Sequence, residues 1–327
     1  MDIADFAVIG AGPVGLHAAL KTALLNHTAI VLDAGNPKSR AYFIPRIANI
    51  PAMVEPLSGR ELLKRQRAAL AARAPQVQIY DNTKVMKVKP DAGRFVLECN
   101  ILKGKEKVGI NEYVARCVIM ATGVVDRQVL INGSIRPILP YADKGIATYC
   151  VLCDGHTLVG KSTAVIGHTD KAAEVAIHAA KFAREVTLLT HGNRLFTDQR
   201  LSAKHKNEIL RELRAAGIEI LEGEIKDLFG LERDIIGMRF ADNAQREWDK
   251  ALLALGFYKI NNELAVQLGA KLDSDGFVVV DSDCRVLKRN GKPIFGIYAV
   301  GDITSNWKQL PVGWGDAEKA VIHAHTE

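Results

Sequence analysis

The 327-residue chain, with 48% hydrophobic and 24% charged residues, is long enough for two globular domains, and no run of about 18 apolar residues free of charge marks a membrane span. The net charge of +6 either steers an acidic electron carrier or an anionic membrane surface, or is a solvated surface with a modest bias; no basic run interleaved with aromatics suggests nucleic-acid binding. Five cysteines, an odd number, and no basic leader ahead of the first strand pattern argue against a secreted disulfide scaffold and point to the cytosol.

Phe6-Ala7-Val8-Ile9 reads as a buried strand running into Gly10-Ala11-Gly12-Pro13-Val14-Gly15, a complete G-x-G-x-x-G. A helix and a second strand, Ala29-Ile30-Val31-Leu32-Asp33, follow. In such a unit Gly10 permits the tight turn, Gly12 lets backbone approach a pyrophosphate, and Gly15 lets helix and strand pack closely. The helix start offers free N–H groups and a positive dipole to phosphates. Asp33 is placed to accept a hydrogen bond from an adenosine ribose hydroxyl. The motif predicts a bound dinucleotide but does not by itself separate FAD from NAD. Ser58 is expected to cap a helix from Gly59 to about Ala72. Val118-Ile119-Met120-Ala121-Thr122-Gly123 reads as a buried strand ending in a turn, with Cys117 a buried strand residue.

After a linker bearing Pro137 and Pro140 comes Cys150-Val151-Leu152-Cys153-Asp154-Gly155. A C-x-x-C is a redox pair or half of a zinc site. Zinc needs two more ligands, and no second C-x-x-C or suitably spaced histidine pair exists, so the reading is redox, with no metal. Next, Ala164-Val165-Ile166-Gly167 repeats Ala7-Val8-Ile9-Gly10 and leads through a helix to Val186-Thr187-Leu188-Leu189-Thr190. Gly10 to Asp33 and Gly167 to Thr190 are the same distance, 23 residues. Two such openings predict an α/β fold with two Rossmann-like dinucleotide-binding domains, each with a parallel sheet. In the second copy, Gly167-His168-Thr169-Asp170-Lys171-Ala172, Thr169 stands at the second glycine position and crowds a pyrophosphate. Asp170 adds negative charge to the helix start and is expected to cap its N–H groups. Ser202 is expected to cap a basic helix ending before Gly217. Leu253-Ala254-Leu255-Gly256 and Ile297-Tyr298-Ala299-Val300-Gly301-Asp302 read as further strand ends, and a last helix is expected near Asp316 to His325. This tail is expected to complete the first domain, with the second inserted and joined by two crossings near residues 126 and 256, a natural hinge.

Ala121-Thr122-Gly123 and Gly301-Asp302 resemble the two extra fingerprints of flavoproteins with two dinucleotide-binding domains, which implies FAD. The whole chain resembles low-molecular-weight thioredoxin reductases, through the Gly10/Gly12/Gly15 motif with Pro13, Ala121-Thr122-Gly123, Cys150-x-x-Cys153-Asp154-Gly155 and Gly301-Asp302 followed by Lys308-Gln309. The resemblance implies a three-layer β/β/α design, with residues 1–126 and 257–327 as the FAD domain and 127–256 as an NADPH-domain-like insertion carrying the cysteines. It also implies roles. Asp302 would contact the ribityl–phosphate region of FAD, and Lys308 and Gln309 would lie near the flavin ring, with Trp307 and Trp314 stacking there or packing in the core. Cys153 would exchange electrons with flavin, Cys150 with a small or protein dithiol/disulfide substrate, and Asp154 would manage the thiol proton. His156 is read as a polar loop residue. Related proteins are homodimers, which implies a homodimer here, cytoplasmic or peripheral at a membrane.

The chain departs from that family where NADPH would bind. His191-Gly192-Asn193-Arg194 replaces the His-Arg-Arg that grips a 2′-phosphate, and Thr190 supplies no carboxylate for NADH. NADPH is therefore not expected as a working cofactor. Three pyridine-nucleotide-independent branches fit such a loss: one fed by ferredoxin, one passing dithiol electrons through FAD to oxygen or another acceptor, and a cyanobacterial diflavin-linked disulfide oxidoreductase carrying a second FAD. The Thr169/Asp170 turn, the Cys150-x-x-Cys153-Asp154-Gly155-His156 block and the Lys308-Gln309-Leu310 stretch point to the third. The alternatives are an NADPH- or ferredoxin-dependent thioredoxin reductase and a flavin-bound redox sensor.

Overall fold

The computed structural model describes residues 3–35, 39–51, 53–196, 201–305 and 307–327. The chain forms two compact units: Met1–Phe43, Ala48–Val125 and Lys259–Glu327 make the first, and Ile44–Ile47 with Asp126–Tyr258 the second. In chain order the first segment carries β1 (Ile3–Ile9), α1 (Pro13–Leu24), β2 (Ala29–Leu32), α2 (Gly59–Arg73), β3 (Val77–Tyr80), β4 (Thr83–Asp91), β5 (Arg94–Lys103) and β6 (Glu106–Met120). Then come β7 (Val124–Asp126), α3 (Leu139–Asp143), β8 (Ala147–Thr148), α4 (Val151–Asp154), β9 (Ser162–Ile166), α5 (Asp170–Ala179), β10 (Glu185–Leu189) and α6 (Ala203–Ala215). The chain continues through β11 (Glu219–Leu221), β12 (Ile225–Phe229), β13 (Ile236–Phe240), β14 (Gln245–Trp248), β15 (Lys250–Leu253) and β16 (Phe257–Ile260). It ends with α7 (Glu263–Gln267), β17 (Arg285–Leu287), β18 (Pro293–Ala299) and α8 (Leu310–Thr326).

In the first unit the sheet runs β17-β18-β6-β1-β2-β3, with β5 added on β6 and β4 on β5. β1 pairs parallel with both β2 and β6 along its edges, and its side chains are packed on both faces, which accounts for its nearly continuous apolar run. Alternation sorts that run. Phe6 and Val8 pack with Leu16, Ala19, Ala317 and Val321 of α1 and α8. Ala7 and Ile9 pack with Val85, Val88 and Leu97 of the β4–β5 hairpin. Helices thus cover one face and an antiparallel hairpin the other.

The second unit repeats this design with other residues. Its parallel sheet runs β11-β10-β9-β15-β8, beside an antiparallel sheet β12-β13-β14. Val165 and Leu188 face α5 and α6, while Ala164, Ile166 and Leu189 face Ile225, Met238 and Phe240. β7 and β16, the strands at the two chain crossings, pair with each other.

Ser58 and Ser202 cap α2 and α6, their hydroxyls accepting from the amides of Glu61 and His205. Two expectations need correction. The last helix begins at Leu310, six residues before Asp316, because Pro311 suits a first helical turn and glycines 313 and 315 are tolerated within it. Cys117, expected buried, is only partly covered in β6. No helix of the described residues is long and apolar enough to cross a membrane.

Candidate active site

The first glycine turn is built as its spacing requires. A Cβ at Gly15 would stand 1.9 Å from the Gly10 carbonyl oxygen, so any side chain there would push α1 off the sheet. Among the described residues, a Cβ at Gly12 would meet only the Ser39 Cβ, at 3.6 Å, so none of them fills the space in front of the helix. α1 starts with Pro13 and has no side-chain cap, which leaves its first N–H groups for a ligand. Beside Gly12, the Ser39 hydroxyl is buried with no hydrogen-bond partner among the described residues. Such a group costs about 1–3 kcal/mol unless something accepts or donates to it. An open approach, uncapped amides and an orphaned hydroxyl together fit a phosphate-bearing cofactor.

Asp33 does more than the sequence suggests. Its carboxylate accepts from the backbone N–H of Ala11 and of Gly35, both at 2.7 Å, so it ties the glycine turn to the end of β2. A carboxylate has lone pairs left for a ribose hydroxyl. The Ala121-Thr122-Gly123 turn is bolted by Asn261, which sequence reading missed. The Thr122 hydroxyl donates to the Asn261 carbonyl at 2.7 Å, Asn261 Nδ2 donates to the Thr122 carbonyl at 2.8 Å, and Asn261 N donates to the Gly123 carbonyl at 3.1 Å. Asp302 is paired with Arg40 at 3.3 Å, and Gly301 N donates to Asp316. Burial raises the Asp316 carboxyl above its ordinary value, against the lowering effect of that bond. Lys308 and Gln309 lead into α8, and Gln309 accepts from Asn49 at 2.7 Å. Of the two tryptophans, Trp314 donates to the Pro13 carbonyl, which also accepts from Gln66, whereas Trp307 is 64% exposed and is no core residue.

The second glycine turn keeps the frame of the first. Gly10 N donates to the Leu32 carbonyl and Gly167 N to the Leu189 carbonyl, both at 2.9 Å. Ala121 N donates to Ile9 and Ala254 N to Ile166, so Ala254-Leu255-Gly256 stands where Ala121-Thr122-Gly123 stands in the first unit. A Cβ at Gly10 or at Gly167 would meet the Ala121 or Ala254 carbonyl oxygen at the same 2.5 Å.

The ligand-facing part differs. Thr169, not Asp170, is the N-cap of α5: its hydroxyl accepts from Ala172 N at 3.3 Å, and Asp170 is the first helical residue. Thr169 fits the cap because its backbone is extended and its hydroxyl reaches the third helical amide, while the helical Asp170 is past that position. After β10 the chain closes on itself. The buried Thr190 donates to the Asn193 carbonyl at 2.7 Å, and Asn193 Nδ2 donates to the carbonyls of Thr190 and His191. Arg194 is exposed. His168 Nδ1 is buried without a partner among the described residues, and burial, reinforced by Arg127 and His191, lowers its pKa.

Cys150 and Cys153 form a disulfide, S–S 2.11 Å with Cα atoms 5.3 Å apart. Cys150 caps the short α4: its sulfur accepts from Cys153 N at 3.1 Å, and its carbonyl accepts from Asp154 N at 3.0 Å. Val151 is buried and anchors the turn, Leu152 is 60% exposed between the two sulfurs, and both cysteines and Asp154 are half-buried. A Cβ at Gly155 would press on the Phe182 ring at 3.0 Å, so a larger residue there would have to push that ring aside. His156 is exposed in the following turn. The other thiols are kept protonated by burial, Cys99 and Cys284 pushed up to about 12 and Cys117 to about 11. The arrangement can open and re-form one disulfide, with a carboxylate next in sequence.

A family model described as pyridine nucleotide-disulphide oxidoreductase matches residues 4–320, and the chain belongs to that family of disulfide oxidoreductases. It is similar to the thioredoxin reductase of Peptoclostridium acidaminophilum, 26% identical over 99% of this chain and 96% of that one. It is also similar to the thioredoxin reductase of Treponema pallidum, 24% identical over 97% and 94%. Among solved structures the fold matches thioredoxin reductase from Giardia duodenalis, with a TM-score of 0.79 and 20% identity over 100% and 99% of the two chains. The Streptococcus pyogenes thioredoxin reductase matches with a TM-score of 0.78 and 22% identity over 99% and 97%.

Proposed function

We propose that the chain is an FAD-dependent thiol–disulfide oxidoreductase that exchanges electrons between flavin and the Cys150/Cys153 pair and does not use NADPH efficiently. The unit containing Gly10, Gly12, Pro13, Gly15, Asp33, Ala121, Thr122, Gly123, Gly301, Asp302, Lys308 and Gln309 holds FAD, and the inserted unit carries the cysteines. Bound FAD supplies a two-electron carrier for the pair. A substrate thiolate attacks Cys150 Sγ, the Cys150–Cys153 bond breaks, and Cys153 leaves as a thiolate, with Asp154 as the acid/base that delivers its proton. The second substrate thiol then displaces Cys150, leaving an oxidised substrate and a reduced pair. The substrate is a small or protein dithiol or, with the same steps run in reverse, its disulfide, and the working form is a cytoplasmic homodimer.

The observation that carries the NADPH part is the Thr169 hydroxyl on Ala172 N, set against the open Gly12. A capped helix start with a side chain in the phosphate path, followed by a self-closed turn without an arginine fork, has little to offer a nicotinamide dinucleotide phosphate. Without that entry, electrons leave or reach the flavin through another acceptor or donor, and a second FAD per chain is the form of this reading that supplies one within the protein. A second reading, an NADPH-dependent thioredoxin reductase, is favoured by the preserved Gly167–Ala254 frame and by the names of the relatives. Release and quantification of flavin, then anaerobic mixing with micromolar NADPH, separates them. The proposal expects a yellow protein that NADPH bleaches slowly or not at all; rapid bleaching selects the second reading, and a flavin count near one per chain removes the second FAD.

A further inference from the structure

Asp170 and Glu174 lie one turn apart on the same face of α5, and His205 comes to them from the first turn of α6. One ligand atom from each lies within 4.8 Å of the other two. The Asp170 side chain has no hydrogen bond or ion pair among the described residues. Glu174 pairs with Lys171 at 3.1 Å, and His205 stands 3.8 Å from Glu208. The helix dipole accounts for a negative charge at Asp170, but its influence fades after the first turn, and it draws no imidazole from a second helix. His205 is held in place because its own amide donates to the Ser202 cap. All three side chains are partly exposed, so an ion reaches them from solvent and a water can complete its shell.

We propose that Asp170, Glu174 and His205 form a binding site for a divalent cation of the zinc type. Two carboxylate oxygens and one imidazole nitrogen are ligands of the right kind, and their two negative charges balance the ion. With bonds of about 2.1 Å, tetrahedral ligands stand about 3.4 Å apart, so rotamer adjustments of roughly an ångström close the site. The ion displaces the Lys171 ammonium from Glu174 and cross-links α5 to α6 within the second unit, beside the turn that Thr169 has closed. Sequence spacing gives no metal motif here because the third ligand sits 31 residues beyond Glu174, on another helix. The site is independent of the redox reading above.

The test uses the full chain as purified with flavin, stripped of metal, with the Cys150–Cys153 disulfide intact so that those sulfurs are not ligands. It is titrated with Co2+ while the visible spectrum is followed, then with Zn2+. The expected result is one ion per chain, low-symmetry Co2+ bands that Zn2+ removes, and a Zn2+-dependent rise in melting temperature. His205→Gln and Glu174→Gln each weaken binding by about tenfold or more, while Lys171→Ala, which removes the competing ammonium, binds at least as tightly. Absence of saturable binding to the wild-type chain, or His205→Gln binding as wild type does, overturns the proposal.

Discussion

The hydroxyl of Thr169 occupies the amide of Ala172, 3.3 Å away, at the one place where the second glycine turn differs most from the first. If that bond holds the start of α5, its loss has a measurable cost. Thr169→Ala is expected to lower stability by about 1 kcal/mol and Thr169→Gly by only a few tenths, since glycine is itself tolerated at an N-cap. Chemical denaturation followed by circular dichroism measures both, and equal losses would mean the bond is not what fixes the turn.

Gly12 and Gly15 separate folding from cofactor binding. Gly15→Ala places a methyl 1.9 Å from the Gly10 carbonyl oxygen and is expected to cost about 3 kcal/mol or more, giving insoluble or colourless protein. Gly12→Ala meets no described residue closer than 3.6 Å, so it should fold, yet bind FAD at least about tenfold more weakly because the methyl stands in the phosphate path. Folded Gly12→Ala protein with undiminished flavin would contradict the assignment of the cradle.

Thiol reactivity should divide the five cysteines into two classes. With Cys99 and Cys284 pushed up to about 12 and Cys117 to about 11 by burial, hardly any thiolate exists at those three near pH 8. After reduction, iodoacetamide at pH 8 is expected to modify the 150/153 pair in the native protein and the other three only after denaturation. Peptide mass mapping reads the outcome.

Asp316 predicts a pH dependence of stability. Burial is the leading influence and raises its carboxyl above the ordinary 3.8, so folding favours the protonated form. The sign follows: its contribution is fully present below the unfolded value and is lost as pH rises through the higher folded value. Asp316→Asn, which keeps a neutral polar side chain, is expected to raise the melting temperature at pH 7 and to lose that advantage below pH 3.8. A stabilisation that grows on acidification would reverse the sign.

The glycine turns were legible because each glycine answers a local backbone demand that leaves a spacing in the sequence. The two repeats were legible because β1 and β9 are covered on both faces and so read as unbroken apolar runs. Partners distant in the chain left no such trace: Asn261 on Thr122, 139 residues away, and Trp314 on Pro13, 301 residues away, meet only once the sheet has formed. The early start of α8 was hidden for a related reason. Gly313 looks like a helix breaker, but a Cβ there would stand 2.6 Å from a Val14 methyl, so α8 needs the glycine to lie against α1. Choosing Asp170 over Thr169 as the cap failed on a one-residue boundary, the least determined feature of a helix.

In the proposed reaction, electrons pass between a dithiol and the flavin through Cys153. The direct measurement is anaerobic addition of dithiothreitol to the wild-type chain and to Cys153→Ser, with flavin absorbance followed in time. The wild-type flavin is expected to bleach, and the variant, equally loaded with FAD, to stay yellow. Bleaching of Cys153→Ser at the wild-type rate would contradict the account.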